Sequence, residues 1–267
     1  DPMRRLRYRV HPLPESMLDY VWDFGRLNDA DEAFYIKSML EGGLLPELAA
    51  ELVIESQKFM RSNQEDCSVS LRDIRRFRIL SKWFFDTRKQ REVADASAEE
   101  EGANTRRPWY QRIWRRRPPA EIEDSPRRPE EKALLLALAL CYYVRLPTGD
   151  IRAHYLHQIQ TTWSTVCSDK LGNNEFLEVL KAEQTEYLRR METLAVGVAL
   201  NNALLENVFV LLVCILNRIP AFLVGKPGCS KSLAMKLIFE NLRGGDSDDP
   251  HFKTLPRLIE FRYQCSE

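Results

Sequence analysis

The sequence predicts a mostly α-helical chain that passes, at its C-terminal end, into a partial α/β unit. Three observations carry that expectation. Apolar residues recur at helical spacing in successive blocks between Met17 and Leu216. Pro220 then breaks the pattern. Beyond it a short apolar run, Ala221-Phe222-Leu223-Val224, leads through a glycine-bearing loop into the helix-forming stretch Leu233–Phe239. At 44% hydrophobic and 29% charged, the 267 residues have the make-up of a globular chain, which excludes wholesale disorder. Lysine plus arginine (39) balance aspartate plus glutamate (39), so a polycationic nucleic-acid coat is excluded as well. The chain opens on Asp1-Pro2 and stops at Glu267 straight after a strand-like run, and it is expected to be a piece of something longer.

Residues 1–90 read as a compact helical unit. After an extended start containing Pro12 and Pro14, a first helical pattern runs through Met17, Leu18, Tyr20 and Val21. A second covers Asp29–Leu40. The third, Leu45–Met60, begins at Pro46, which suits a first turn because its missing N–H has no helical partner to lose. The fourth starts near Ser70, whose hydroxyl can cap the amides of Leu71-Arg72-Asp73, and runs through Ile74, Phe77, Leu80 and Phe84. Residues 91–129 change in kind. Glu99-Glu100-Glu101 is followed by Arg106-Arg107-Pro108-Trp109-Tyr110 and Arg115-Arg116-Arg117-Pro118-Pro119, which predicts a charged linker or long exposed loop. Residues 130–194 return to helix, with the apolar Ala133–Val144 and an amphipathic stretch around Phe176–Tyr187. Residues 195–267 hold a further apolar helix ending near Leu216 and then the α/β unit.

Neither long apolar run, Ala133–Val144 or Val208–Leu216, reaches the ~20 residues a membrane span needs. No signal peptide follows Met3-Arg4-Arg5-Leu6-Arg7. The cysteines (Cys67, Cys141, Cys167, Cys214, Cys229, Cys265) form no C-x-x-C pair, so they read as reduced thiols in a cytosolic protein and not as a zinc site.

The chemistry concentrates after Pro220. Gly225-Lys226-Pro227-Gly228-Cys229-Ser230-Lys231-Ser232-Leu233, between a buried-type strand and a helix, has the phosphate-loop arrangement. Amide N–H groups must turn inward around a β-phosphate, which Gly225 and Gly228 permit, and the following helix N-terminus adds partial positive charge. Lys231 would reach the β- and γ-phosphates, and the Ser232 hydroxyl would ligate Mg²⁺. The position before the lysine is Ser230 instead of glycine; a positive φ there would cost about 1 kcal/mol. Leu258–Tyr263 predicts a second strand. Hydrolysis needs carboxylates on a later strand, so the chain by itself is expected to bind ATP without hydrolysing it.

These residues resemble the mysterin family, giant RING-finger E3 ubiquitin ligases with a dynein-like AAA+ core. Glu206-Asn207-Val208-Phe209, Ile219-Pro220 and the run Phe222 to Ala234, with its G-K-P-G-x-S-K-S-L-A loop, carry the resemblance. Tyr8–Pro14, Asp23-Phe24-Gly25, Phe59–Ser62 and Cys67–Asp73 agree with it, and residues 91–129 hardly contribute. The resemblance implies that 1–90 is the helical lid of one AAA+ module, 130–194 a connector, and 195–267 the start of the next module. It implies a sensor-2 role for Arg72, serving the preceding module's nucleotide, and places Glu206-Asn207 near the adenine pocket. It also implies ubiquitin and an E2 enzyme as partners through regions outside this chain, zinc only in an absent RING region, and a cytosolic protein with lipid-droplet association. Two alternatives stand beside it. One is a segment of another concatenated AAA+ motor of the midasin or dynein heavy-chain type. The other is a nucleic-acid-binding module acting through Arg106–Arg117 and the interleaved Trp109, Tyr110 and Trp114, against which the flanking acids favour a solvated linker.

Overall fold

A computed structural model describes residues 12–22, 27–64, 68–100, 125–147, 149–191 and 201–261, the side chains of 98–100 excepted. The arginine and aromatic stretch 106–117, Asp23-Phe24-Gly25, Cys67 and Arg262-Tyr263 lie outside the described residues. The described chain is mostly helical. It contains α1 (Glu15–Leu18), α2 (Asp29–Leu40), α3 (Pro46–Asn63), α4 (Leu71–Glu100), α5 (Pro129–Cys141), α6 (Asp150–Val166), α7 (Glu175–Arg190), α8 (Asn202–Leu216), α9 (Lys231–Asn241) and α10 (Pro250–Thr254).

Local chemistry sets the helix ends. The Asn28 side chain accepts from the Asp31 amide at 2.8 Å, opening α2, and Pro46 occupies the first turn of α3. At the start of α4, the Ser70 hydroxyl accepts the Arg72 amide at 3.3 Å while the Asp73 carboxylate accepts the Ser70 amide at 2.8 Å. The α4 helix then runs to Glu100, which corrects the expected boundary: 91–100 is helix, not loop. Its inward side explains the extension. Phe84, Thr87 and Arg91 are all buried, so the helix keeps an interior face to pack past residue 90.

The core is continuous from α2 to α10. Helix α5 lies at its centre, buried from Glu131 through Cys141, as expected of a helix apolar on all sides. It packs against α3, α4 and α7; α6 lies on α3, and α8 on α7. Helices from residues 27–100 and from 129–190 therefore share one interior. Fully buried Trp163, Tyr142, Tyr155 and Tyr187 fill it.

The expected strands are a second correction. Neither Ala221–Val224 nor the described part of Leu258–Tyr263 is a strand, and no strand occurs among the described residues. A strand exists only by pairing, and among the described residues no neighbouring strand pairs with these segments. Phe222 and Val224 are 96% and 90% exposed, and Ile259 and Phe261 stand in solvent. At the second segment the Leu258 amide donates to the Leu242 carbonyl at 3.1 Å.

Candidate nucleotide-binding site

Helix α8 delivers the chain to the candidate loop. The Asn201 side chain caps its start by accepting the Leu204 amide at 2.8 Å. Its end closes on left-handed Arg218 (φ 55°), with the Ile219 amide donating to the Cys214 carbonyl at 2.8 Å, a six-to-one closure that satisfies a terminal carbonyl. Residues 219–226 then run irregularly into a turn, and α9 begins at Lys231. Helix α9 lies on α8 through buried Ala234, Leu237 and Ile238.

Two residues of the loop have left-handed backbone. Gly228 has φ 85°, and Ser230, immediately before the lysine, has φ 57° and ψ 17°. A positive φ is thus present on a residue that carries a Cβ. Ser230 makes no side-chain cap to α9, so no serine oxygen competes for the first amides of that helix.

Lys231 bends back over the loop. Its ammonium donates to the Gly225 carbonyl at 2.6 Å and the Lys226 carbonyl at 2.7 Å. A Cβ on Gly225 would sit 3.7 Å from that ammonium and 3.8 Å from Cys229 Sγ, so the glycine is where lysine and loop come close. Lys226, Pro227, Gly228, Cys229 and Ser232 are exposed, while Leu233 is half-buried and anchors the first turn of α9 in the core.

The residues fit a phosphate group on these grounds: an ammonium at the loop mouth, uncapped helical amides beneath it, and glycine where the backbone turns. For Mg²⁺ they offer Ser232 alone. Among the described residues no three His, Cys, Asp or Glu side chains converge on a point.

Glu206 and Asn207 both have other engagements. Glu206 accepts two hydrogen bonds from Arg152 of α6 at 2.9 and 3.0 Å. Asn207 Nδ2 donates to the Cys229 carbonyl at 2.8 Å and so fixes the loop to α8. Sequence spacing had no means of revealing that tether, because it joins residues 22 apart.

Arg72 lies on the first turn of α4, its side chain exposed. Asp73 beside it is buried and receives Arg145 at 3.2 Å and Arg76 at 3.4 Å. Arg145 also donates to the Ser68 carbonyl. The start of α4 is thereby pinned while Arg72 points free of those pairs.

The family described as the RNF213 AAA domain matches residues 197–267. The chain is 35% identical over 278 aligned positions to the E3 ubiquitin-protein ligase rnf213-beta of Danio rerio, with 99% of this chain covered. It is 32% identical to the E3 ubiquitin-protein ligases RNF213 of Mus musculus and Homo sapiens, again over 99% of its length.

The chain belongs to the RNF213, or mysterin, family.

It spans 5% of the length of each of those relatives. The similarity to them runs the length of the chain, including both the helical bundle and the loop. No described helix is long and apolar enough to cross a membrane.

Proposed function

We propose that this chain is the ATP-binding segment of an AAA+ core within a mysterin-type E3 ubiquitin ligase. The observation that carries the proposal is the Lys231 ammonium, held on the Gly225 and Lys226 carbonyls above the uncapped N-terminus of α9. The family match over 197–267 supports the same reading. Residues Gly225 to Ser232 would wrap the phosphates with backbone N–H groups, and Leu233 would hold the helix start in register. A Mg²⁺ ion ligated by Ser232 would offset charge between the β- and γ-phosphates. A phosphate oxygen arriving at the loop competes with two neutral carbonyls for Lys231, and it brings a full negative charge that those carbonyls lack.

In this reading 1–90 is the lid of the preceding module, 91–129 its connection onward, 130–194 a helical connector and 195–267 the start of the next module. Ala221–Val224 and Leu258–Tyr263 become strands once neighbouring strands of the complete module pair with them. Arg72 serves the preceding module as its sensor-2 arginine. ATP hydrolysis and ubiquitin transfer, with ubiquitin, an E2 enzyme and RING-bound zinc, belong to the full-length protein, in the cytosol and at lipid droplets.

The test is nucleotide binding by full-length protein. Lys231→Ala should lower ATP affinity at this module by at least ~10-fold, the worth of one charge-assisted contact. Unchanged affinity would remove the assignment. Arg72→Ala should slow turnover in the preceding module and leave binding at Lys231 intact.

A further inference from the structure

Helix α4 is one element of 30 residues, about 45 Å long, that packs against both α2 and α10. Arg72 lies at its start. Near its other end, Asp95 meets a clasp built from two later elements. Arg190, the last residue of α7, donates to both oxygens of Asp95 at 2.6 and 3.0 Å. The same guanidinium reaches Asp249 Oδ2 at 3.3 Å and Glu186 at 2.7 Å. Asp249 in turn caps α10 by accepting the Phe252 amide at 3.0 Å, and α10 packs directly on α4.

The clasp is continuous with the loop. Helix α9 runs from Lys231 to Asn241, and the Ser247 hydroxyl donates to the Asn241 carbonyl at 3.0 Å while accepting the Arg243 amide at 3.0 Å. That turn leads within two residues to Asp249. Every joint between Lys231 and α4 is therefore a helix, a hydrogen-bonded turn or a charge pair.

The surroundings leave little slack. Arg190 is 10% exposed at its side chain and Asp249 12%. Burial opposes the Arg190 charge, and the bond to Asp95 with the charges of Asp249 and Glu186 more than offsets it. Asp95 is 43% exposed, but Asp249 is buried and would lose its charge partner without Arg190, so Arg190 holds the cluster in one arrangement.

We infer that the Asp95–Arg190–Asp249 clasp couples the occupancy of the Lys231 loop to α4, the helix whose first turn carries Arg72. The inference rests on the proposed nucleotide site. A phosphate that draws Lys231 off the Gly225 and Lys226 carbonyls shifts the first turn of α9. The turn at Ser247 passes that shift to Asp249, and Arg190 hands it to Asp95. The loop with lysine on its own carbonyls and the loop with lysine on phosphate are the two arrangements that bias the clasp.

Amide hydrogen exchange on the full-length protein, with and without a non-hydrolysable ATP analogue, tests it. The expected result is a change of ~fivefold or more in exchange at 86–97, as well as at 226–241, absent in Lys231→Ala. Asp249→Asn keeps the α10 cap and removes the charge; Asp95→Asn does the same from the α4 side. Both should retain analogue affinity and the response at 226–241 while losing that at 86–97. If the response at 226–241 does not depend on Lys231, the nucleotide site itself is misassigned. If it does, and 86–97 either stays silent in the unsubstituted protein or responds equally in both Asn variants, the coupling is refuted. Should both variants lose basal protection at 226–241, the comparison with Lys231→Ala alone decides, and silence at 86–97 refutes the coupling.

Discussion

Ser230 and His251 show how much a single side chain can carry. Ser230 holds φ 57°, a region that costs a residue with a Cβ about 1–2 kcal/mol. Ser230→Gly would relieve that strain and return ~0.5–1 kcal/mol of unfolded-chain entropy, so denaturation midpoints should move little. Ser230→Val, branched at Cβ, should cost roughly 1 kcal/mol more than serine by urea unfolding. Equal stability of the valine and glycine variants would mean the loop does not require this backbone.

His251 is fully buried, and neither ring nitrogen has a partner among the described residues. Burial first, then the nearby Arg91 and Arg190 charges, lowers its pKa to about 4; Asp95 and Glu186 act weakly the other way, and the Tyr187 ring lies alongside. The unfolded value is near 6.5, so between these limits the unfolded chain binds the proton and the folded chain does not. Stability should therefore fall as pH drops through that window, by about 2 kcal/mol from pH 7 to pH 5. His251→Phe should remove that component, which paired urea titrations at the two pH values would read.

Among the elements, α5 and α7 owe their junction to Arg127, just before α5. Its guanidinium donates to both oxygens of Glu175 at 2.8 and 2.9 Å, reaches Asp169 and the Lys170 carbonyl, and lies 5.3 Å over the Trp163 ring. Ser125 adds a bond to Glu175 at 2.8 Å. Burial works against the Glu175 charge, yet the bonds from Arg127, the Gly172 amide and Ser125 hold it below the usual carboxylate range. Arg127→Ala should destabilise the chain by about 3 kcal/mol, since it strands a half-buried carboxylate. Arg127→Lys should restore only part, because an ammonium cannot reproduce the two-pronged fork. Equal unfolding midpoints for wild type and Arg127→Ala would contradict this.

The sequence already read as helix at α2, α3, α4 and α7, where caps, Pro46 and apolar spacing are local signals. The end of α4 was not legible, because blocks of like charge suggested a linker while the packing that extends the helix comes from residues about a hundred positions away. Ala221–Val224 differs for the converse reason: its composition is strand-like, but a strand is made by its neighbours, and none pairs with it among the described residues.

For the molecule as a whole, one interior joins the helical bundle to the loop-bearing end. Phe209 of α8 stacks on Phe84 of α4 with ring centroids 6.0 Å apart and lies 6.3 Å from Tyr187 of α7. Phe209→Ala should cost about 3–5 kcal/mol and, if the two parts melt as one, lower a single unfolding transition. Two resolved transitions in calorimetry, with only the later part affected, would show that the bundle and the loop-bearing end fold independently.

Read alone, the residues determined a mostly helical chain, a glycine loop before Lys231, and membership in the mysterin family, because helix caps, short loop motifs and apolar period are written in neighbours along the chain. Tertiary structure decided what the interior joins: Asn207 on the loop, Arg145 on Asp73, Arg190 between Asp95 and Asp249. Those bonds connect residues 22 to 95 positions apart, and no local pattern encodes a charge pair that exists only once helices have packed.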